Sequence, residues 1–259
     1  WKNEYRTLDP AYEADILRTF SAFIEQDLVY RSKKPVYWSI PCETALAEAE
    51  IEYKDHVSPS IWVKFALPDT SSLSLDGKVS IVIWTTTPWT LPSNLALAVG
   101  ADIDYVYIQY GDEVLILAAA RLQSTMREAD YKVIKTVKGQ DLVGLRYQRP
   151  FDHLAADGDI CRVHAADFVS TDDGTGIVHV APAYGVDDLE LGQRNNLPVV
   201  HAVGLDGYFK SEVTPVAGLF FKDADPVIID LLETQGLLFR QEKYLHNYPF
   251  GWRTGDPLI

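Results

Sequence analysis

The chain is cut into short apolar runs. Residues 61–65, 79–84, 95–99, 105–110 and 114–118 are rich in Val, Ile and aromatics, and Pro, Gly or an Asp-Gly pair such as Asp76-Gly77 separates them. Such side chains suit a pleated, half-buried surface, and the breakers end each run before a helix of useful length can form. Stretches 131–137, 162–169 and 176–181 read the same way. Strands that follow one another without intervening helices do not build a doubly wound sheet. The sequence therefore predicts a mainly β fold, barrel-like, with helical decorations.

Helices are predicted at 11–30, 122–129, 187–195 and 223–235, with a short helical turn at 45–50. Asp9 suits the N-cap of the first, and Pro10 its first position, where a missing N–H does no harm. Ile16, Leu17, Phe20, Phe23, Ile24 and Leu28 fall on one face, so this helix is expected to pack on something larger than itself. Asp187 and Asp188 open the third helix as N-cap and first-turn acids, which its dipole favours. Gly236 closes the fourth from the C′ position.

A chain of 259 residues, 47% hydrophobic, can bury a substantial core without covalent staples. Cys42 and Cys161 make no disulfide framework and suit a reducing, cytoplasmic setting. No apolar run reaches the roughly 18 residues of a membrane span. The opening Trp1-Lys2-Asn3-Glu4 has neither a signal-peptide core nor an initiator Met, so an excised fragment or processed product is expected. The formal net charge of -14 argues against a stand-alone nucleic-acid binder, because phosphate contacts need cations.

Several chemistries find no support. There is no phosphate loop of the Gly-x-x-x-x-Gly-Lys type and no Gly-x-Ser-x-Gly elbow, and Gly174-Thr175-Gly176 lacks the third glycine of a dinucleotide fingerprint. Cys161-x-x-His164 is half a metal site with no second half at ligand spacing. No metal, organic cofactor or Ser/Cys nucleophile is expected.

Two segments stand out. At 79–99 an apolar strand runs into Trp84-Thr85-Thr86-Thr87-Pro88-Trp89-Thr90, then Leu91-Pro92-Ser93-Asn94 and a second apolar strand. Pro88 stops ladder pairing and leaves a loop of hydroxyls, each able to donate and accept, at a strand end. At 173–188 stands Asp-Gly-Thr-Gly-Ile-Val-His-Val-Ala-Pro-Ala-Tyr-Gly-Val-Asp-Asp, with Ile177, His179 and Ala181 on one strand face. Taken singly, the threonines also read as ordinary strand residues, His179 as a satisfied core histidine, and the two aspartates as helix-capping acids.

Together, Trp-Thr-Thr-Thr-Pro-Trp-Thr-Leu-Pro-x-Asn and Gly-Thr-Gly-x-Val-His-x-Ala-Pro-x-x-Gly-x-Asp-Asp closely resemble the editing domain of isoleucyl-tRNA synthetases. Residues 34–38 and 44–53 look like the beginning of that domain, and 244–249 with Trp252-Arg253 like its end. Valyl and leucyl relatives carry Thr-Thr-Arg-Pro where this chain has Thr85-Thr86-Thr87-Pro88. The synthetic-site signatures His-x-Gly-His and Lys-Met-Ser-Lys-Ser are absent, so no amino-acid activation is expected. Many isoleucyl enzymes carry Cys-x-x-Cys where this chain has Ser39-Ile40-Pro41-Cys42, and some carry a second where it has Gly251-Trp252-Arg253-Thr254. With three of four thiols missing, no zinc is expected.

The resemblance implies a closed barrel-like editing domain of the valyl/isoleucyl/leucyl type over 38–246. It also implies a connecting segment with the amphipathic helix over 1–37 and a return connector over 247–259. It implies hydrolysis of valine mis-esterified to the 3′ end of tRNA-Ile, with the remainder of the synthetase as partner, no membrane and a cytoplasmic location. One methylene is worth roughly 1–3 kcal/mol, so a second, smaller pocket multiplies discrimination. Asp188 then anchors the α-ammonium and His179 limits the pocket. Trp84, Thr85, Thr86, Thr87, Gly174 and Thr175 line the ester and terminal adenosine, with Thr86, Thr87 and Asn94 positioning water and ribose. No general base is assigned. The alternative, motivated by the acidic charge, is a non-catalytic module that binds the aminoacyl-adenosine end and needs the full enzyme for turnover.

Overall fold

The computed structural model describes residues 4–70, 73, 75 and 77–259. Trp1, Lys2, Asn3 and Asp76, on which the reading of the N-terminus and of the Asp76-Gly77 turn partly falls, lie outside the described residues; Gly77 itself takes a φ of 94°. The chain divides into two compact units, Trp1–Lys34 and Pro35–Ile259.

The first unit holds α1, Pro10–Glu25, with Asp9 Oδ1 accepting from the Ala11 N–H at 2.8 Å. The helix stops well short of residue 30. Asp27 takes a left-handed φ of 55°, and the N–H groups of Asp27 and Leu28 turn back to the carbonyls of Ile24 and Phe23, which closes the helix as a Schellman cap. No residue of α1 is buried, and its apolar face of Ile16, Leu17, Phe20, Phe23 and Ile24 is open.

The second unit is mainly β. A six-stranded sheet runs in the order β11-β3-β4-β7-β6-β8, with β3 at Ile51–Ala66, β4 at Lys78–Thr85, β6 at Asp104–Tyr110, β7 at Glu113–Ala118, β8 at Lys132–Lys138 and β11 at Leu238–Gly251. A three-stranded sheet, β10-β5-β9, joins Ile177–Val180, Ala96–Val99 and Arg162–Ala165. A small ribbon pairs β1, Trp38–Ser39, with β2, Thr44–Ala45. Helices α2 (Leu122–Met126), α3 (Val186–Arg194) and α4 (Ala224–Thr234) decorate the sheets. Among the described residues the ladders form these separate sheets and do not close hydrogen bond to hydrogen bond into the expected barrel.

Period-two alternation builds the layers. Ile61, Val63 and Phe65 of β3, Val79, Ile81 and Ile83 of β4, and Ile116 of β7 point into a central core with Leu97, Val99, Val163 and Ile177 of the smaller sheet. The opposite face of the large sheet carries Trp62, Val82, Ile108, Leu115 and Leu117 and is covered by Met126 of α2. The outer face of the small sheet packs Ala96, Ala98 and Val180 on Leu191 of α3.

Several elements differ from expectation. β3 begins ten residues before its apolar run because its polar half, from Ile51, is held by β11, from Gly251↔Ile51 to Leu238↔Val63. β11 was not predicted, and it runs unbroken across the expected boundary at 246/247. α2 stops at Met126, where Arg127 turns to a φ of 53°. The turn at 45–50 becomes β2 followed by a single 3-10 turn, Glu48–Glu50. β9 ends at Ala165, four residues early.

Candidate functional site

The antiparallel pairing of β10 with β5, His179↔Leu97 and Val180↔Ala96, brings the β4–β5 connection against the β10–α3 connection. Between them lies a cavity of about 280 Å³ lined by Trp84, Thr85, Thr87, Thr90, Val178, His179, Ala181, Tyr184 and Asp188. The two sequence segments therefore meet in space.

The threonine loop is a preformed hydroxyl cluster. Thr85 Oγ1 accepts from the Thr87 N–H at 3.1 Å and lies 3.2 Å from Thr87 Oγ1. Pro88 then starts a buried 3-10 helix, Pro88–Ser93, and Thr90 donates to the Thr87 carbonyl at 2.9 Å. Trp89 is the anchor of this helix: its ring packs edge-on against Tyr184 and Phe221, and its backbone N–H donates to Asp225 Oδ1 of α4 at 2.9 Å. Trp84 donates to Ser60 Oγ at 2.6 Å.

The glycine loop presses on Trp84. Gly174, at a φ of 65°, has no room for a side chain, because a Cβ there would lie 3.0 Å from the Trp84 ring. Arg121 clamps the loop by donating to the Gly174 and Asp172 carbonyls. The Thr175 carbonyl accepts from the Ala118 N–H at 2.9 Å.

His179 is buried and bonded at both ring nitrogens, Nε2 to Thr90 Oγ1 at 2.9 Å and Nδ1 to Asn94 Nδ2 at 2.8 Å. Burial lowers its imidazole to about 4. Asp188 sits in the first turn of α3, whose N-cap is Gly185 rather than either aspartate. Its Oδ2 accepts from the Ala181 N–H at 2.8 Å, and burial raises the carboxyl to about 6 against the pull of that donor.

Of the residues expected at the site, Trp84, Thr85, Thr87, His179 and Asp188 line the cavity. Thr86 is half-buried beside it and is not among the lining residues. Gly174 and Thr175 act from behind, through the packing and backbone bonds above. Asn94 corrects the expectation most: it is fully buried, its amide is spent on His179, the Ala96 carbonyl and Tyr147, and it presents no group to the cavity. The sequence reading missed Thr90, Val178, Ala181 and Tyr184. Ala181 shares the strand face of His179, and Thr90 follows Thr87 by one 3-10 turn, so both were within reach of simple periodicity. Among the described residues no group of three or more His, Cys, Asp and Glu is placed to share a metal ion, so Cys161 and His164 gain no further ligands. Among the described residues no helix is long and apolar enough to cross a membrane.

Comparison with known proteins places the chain in a family and a fold. Residues 1–226 match the family of class I tRNA synthetases (I, L, M and V). The chain is 43% identical to isoleucine--tRNA ligase of Geobacillus thermodenitrificans and 43% identical to that of Thermotoga neapolitana, in each case over 100% of this chain and 28% of the relative. It therefore spans little more than a quarter of the curated relatives it matches. Its fold is that of GlLeuRS-CP1, whose crystal structure superposes with a TM-score of 0.58 at 16% identity, covering 71% of this chain and 99% of the other. A family match across most of its length places this chain among the class I tRNA synthetases (I, L, M and V).

Proposed function

We propose that this module edits mis-acylated tRNA-Ile by hydrolysing the ester of valine at the 3′ end. The observation that carries the reading is the meeting of the Thr85, Thr87 and Thr90 hydroxyls, the His179 ring and the Asp188 carboxylate around one cavity of about 280 Å³. A carboxyl that titrates near 6 is mostly ionised at neutral pH and can hold an α-ammonium by a charge-assisted bond. His179 then forms the wall that a side chain one methylene larger than valine meets.

The same geometry narrows the mechanism. His179 has both nitrogens engaged and stays neutral, so it is a wall and not a general base. The hydroxyls of Thr85 and Thr87 are left to orient a water on the ester carbonyl. The water oxygen forms the new bond to the carbonyl carbon, the bond to the ribose oxygen breaks, and the water proton passes to that oxygen. The developing oxyanion is stabilised by hydrogen bonds, without a covalent intermediate. The work takes place in the cytoplasm, where the rest of the synthetase presents the tRNA.

The deciding experiment follows decay of Val-tRNA-Ile and Ile-tRNA-Ile with this chain present and absent. Faster decay of the valyl ester alone supports editing, and equal decay of both rejects it. The net charge of -14 favours one competing reading, a binding module that needs the parent enzyme for turnover. Calorimetric binding of an aminoacyl-adenosine analogue without hydrolysis of either ester would support that reading.

A further inference from the structure

We infer that Tyr147, Asn94 and Thr90 are positioning residues: they hold His179 as the Nε2–H tautomer in one orientation and thereby set the size limit of the pocket. The size limit rests on the editing reading above; the tether does not.

The tautomer follows from counting donors. Asn94 Nδ2 lies 2.9 Å from the Ala96 carbonyl, which can only accept, so the nitrogen and not the oxygen of the amide faces that way. The amide oxygen then faces Tyr147, whose O–H donates to it at 2.6 Å. The second Nδ2 proton has one partner, His179 Nδ1 at 2.8 Å, which must therefore carry no proton. The ring proton sits on Nε2 and is donated to Thr90 Oγ1 at 2.9 Å. Thr90 passes its own proton to the Thr87 carbonyl at 2.9 Å. Every donor and acceptor from Tyr147 to the threonine loop is thus matched in one direction. The other tautomer would set an N–H against the Asn94 N–H, and its bare Nε2 would lack a donor unless Thr90 gave up the Thr87 carbonyl, costly mismatches in a buried place.

The anchor stands outside the cavity lining, two hydrogen bonds from the His179 ring. Tyr147 is buried, packs edge-on against Phe65 at 5.3 Å, and does not line the pocket. The charged and titratable groups around the tether are Arg149, which donates to the Asn94 carbonyl, Cys161 beside Tyr147, and Tyr184 and Asp188, which line the same cavity as the ring. A wall that must distinguish one methylene tolerates little movement, since that difference is worth only about 10–200-fold at best.

The test has two arms. Nitrogen-15 NMR of the histidine rings at pH 7 should show His179 protonated on Nε2 and bare on Nδ1, with Tyr147→Phe and Thr90→Val giving mixed or exchanging tautomers and Thr90→Ser restoring the native pattern. In the hydrolysis arm, the ratio of kcat/KM for the valyl over the isoleucyl ester should fall about tenfold in Tyr147→Phe and Thr90→Val and recover in Thr90→Ser. A wild-type ring protonated on Nδ1, or a tautomer unmoved by both variants, overturns the tether. A lost tautomer with an unchanged ratio overturns the size limit. Should wild type hydrolyse neither ester, the editing reading and the size limit both fail, while the NMR arm still decides the tether. Thr90→Val is the second route should Tyr147→Phe fail to fold.

Discussion

Asp225 Oδ1 accepts the Trp89 N–H at 2.9 Å, joining the first turn of α4 to the helix that carries the threonine loop, 136 residues earlier in the chain. This carboxyl is buried, and burial raises it to about 7 against the opposing pull of Lys222 and the Trp89 donor. Lys222 is itself lowered to about 8 by burial and lies 3.8 Å from the Tyr248 ring centre.

A raised carboxyl means that the folded chain holds a proton which the unfolded chain has released, so stability falls as pH rises from about 4 to about 7 and is flat above that. The expected slope integrates to at most roughly 4 kcal/mol. Asp225→Asn keeps an oxygen for Trp89 and removes the titration. Urea unfolding at a series of pH values should show a shallower decline between pH 4 and 7 in the variant. An identical slope would mean that the Asp225 carboxyl ionises freely in the folded chain.

Asp188 carries a pH signature of its own. With the carboxyl raised to about 6, its ionised form, the one able to hold an ammonium, dominates above pH 6 and is lost below it. The kcat/KM for the valyl ester should fall on acidification through pH 6. Asp188→Asn should lower it by about 10–100-fold at pH 7.5, the worth of a hydrogen bond to a charged group, and flatten the acid limb. A variant that keeps the limb would assign it to another group.

Gly185 offers a geometric test of the same carboxylate. Its φ of -137° suits any residue, but a Cβ there would lie 2.9 Å from Asp188 Cγ. Gly185→Ala should therefore push the carboxylate off the Ala181 N–H and lower valyl-ester turnover, with little change in unfolding midpoint. Hydrolysis rates and urea melts on one preparation separate the two effects. Loss of stability in proportion to activity would make Gly185 a packing residue only.

The sequence made the core strands legible because their inward residues repeat every second position. Ile81, Ile83, Leu97 and Val99 all lie on the face that alternation assigns them. It left β11 and the first half of β3 dark, since that ribbon is held by backbone pairing between polar and aromatic residues, His246↔His56 and Tyr248↔Lys54 among them, with no apolar run to mark it. At the site, the two motifs named the cavity, but the part played by each residue depended on long-range bonds. Asn94 and His179 lie 85 positions apart, and Tyr147 lies 53 from Asn94 in a stretch with no motif. A buried hydrogen-bonding partner leaves no periodic trace.

The last prediction concerns the missing thiols. Ser39, Cys42, Gly251 and Thr254, where the resemblance implies one Cys-x-x-Cys pair in many isoleucyl enzymes and a second in some, all line one cavity of about 200 Å³. The ribbon β1–β2 supplies one side, and the end of β11 with the turn after it supplies the other. A Cβ at Gly251 would lie 3.5 Å from Thr254 Oγ1, so these two positions are close enough to share a ligand. Four thiolates around one point satisfy tetrahedral zinc. Ser39→Cys combined with Gly251→Cys and Thr254→Cys, on the native Cys42, should bind one zinc per chain and raise the unfolding midpoint, with the gain removed by a chelator. Wild type should bind none at stoichiometry. Atomic emission on dialysed protein reads both. A triple variant that stays metal-free would show that the ribbon and the β11 turn hold their side chains too far apart for a common ion.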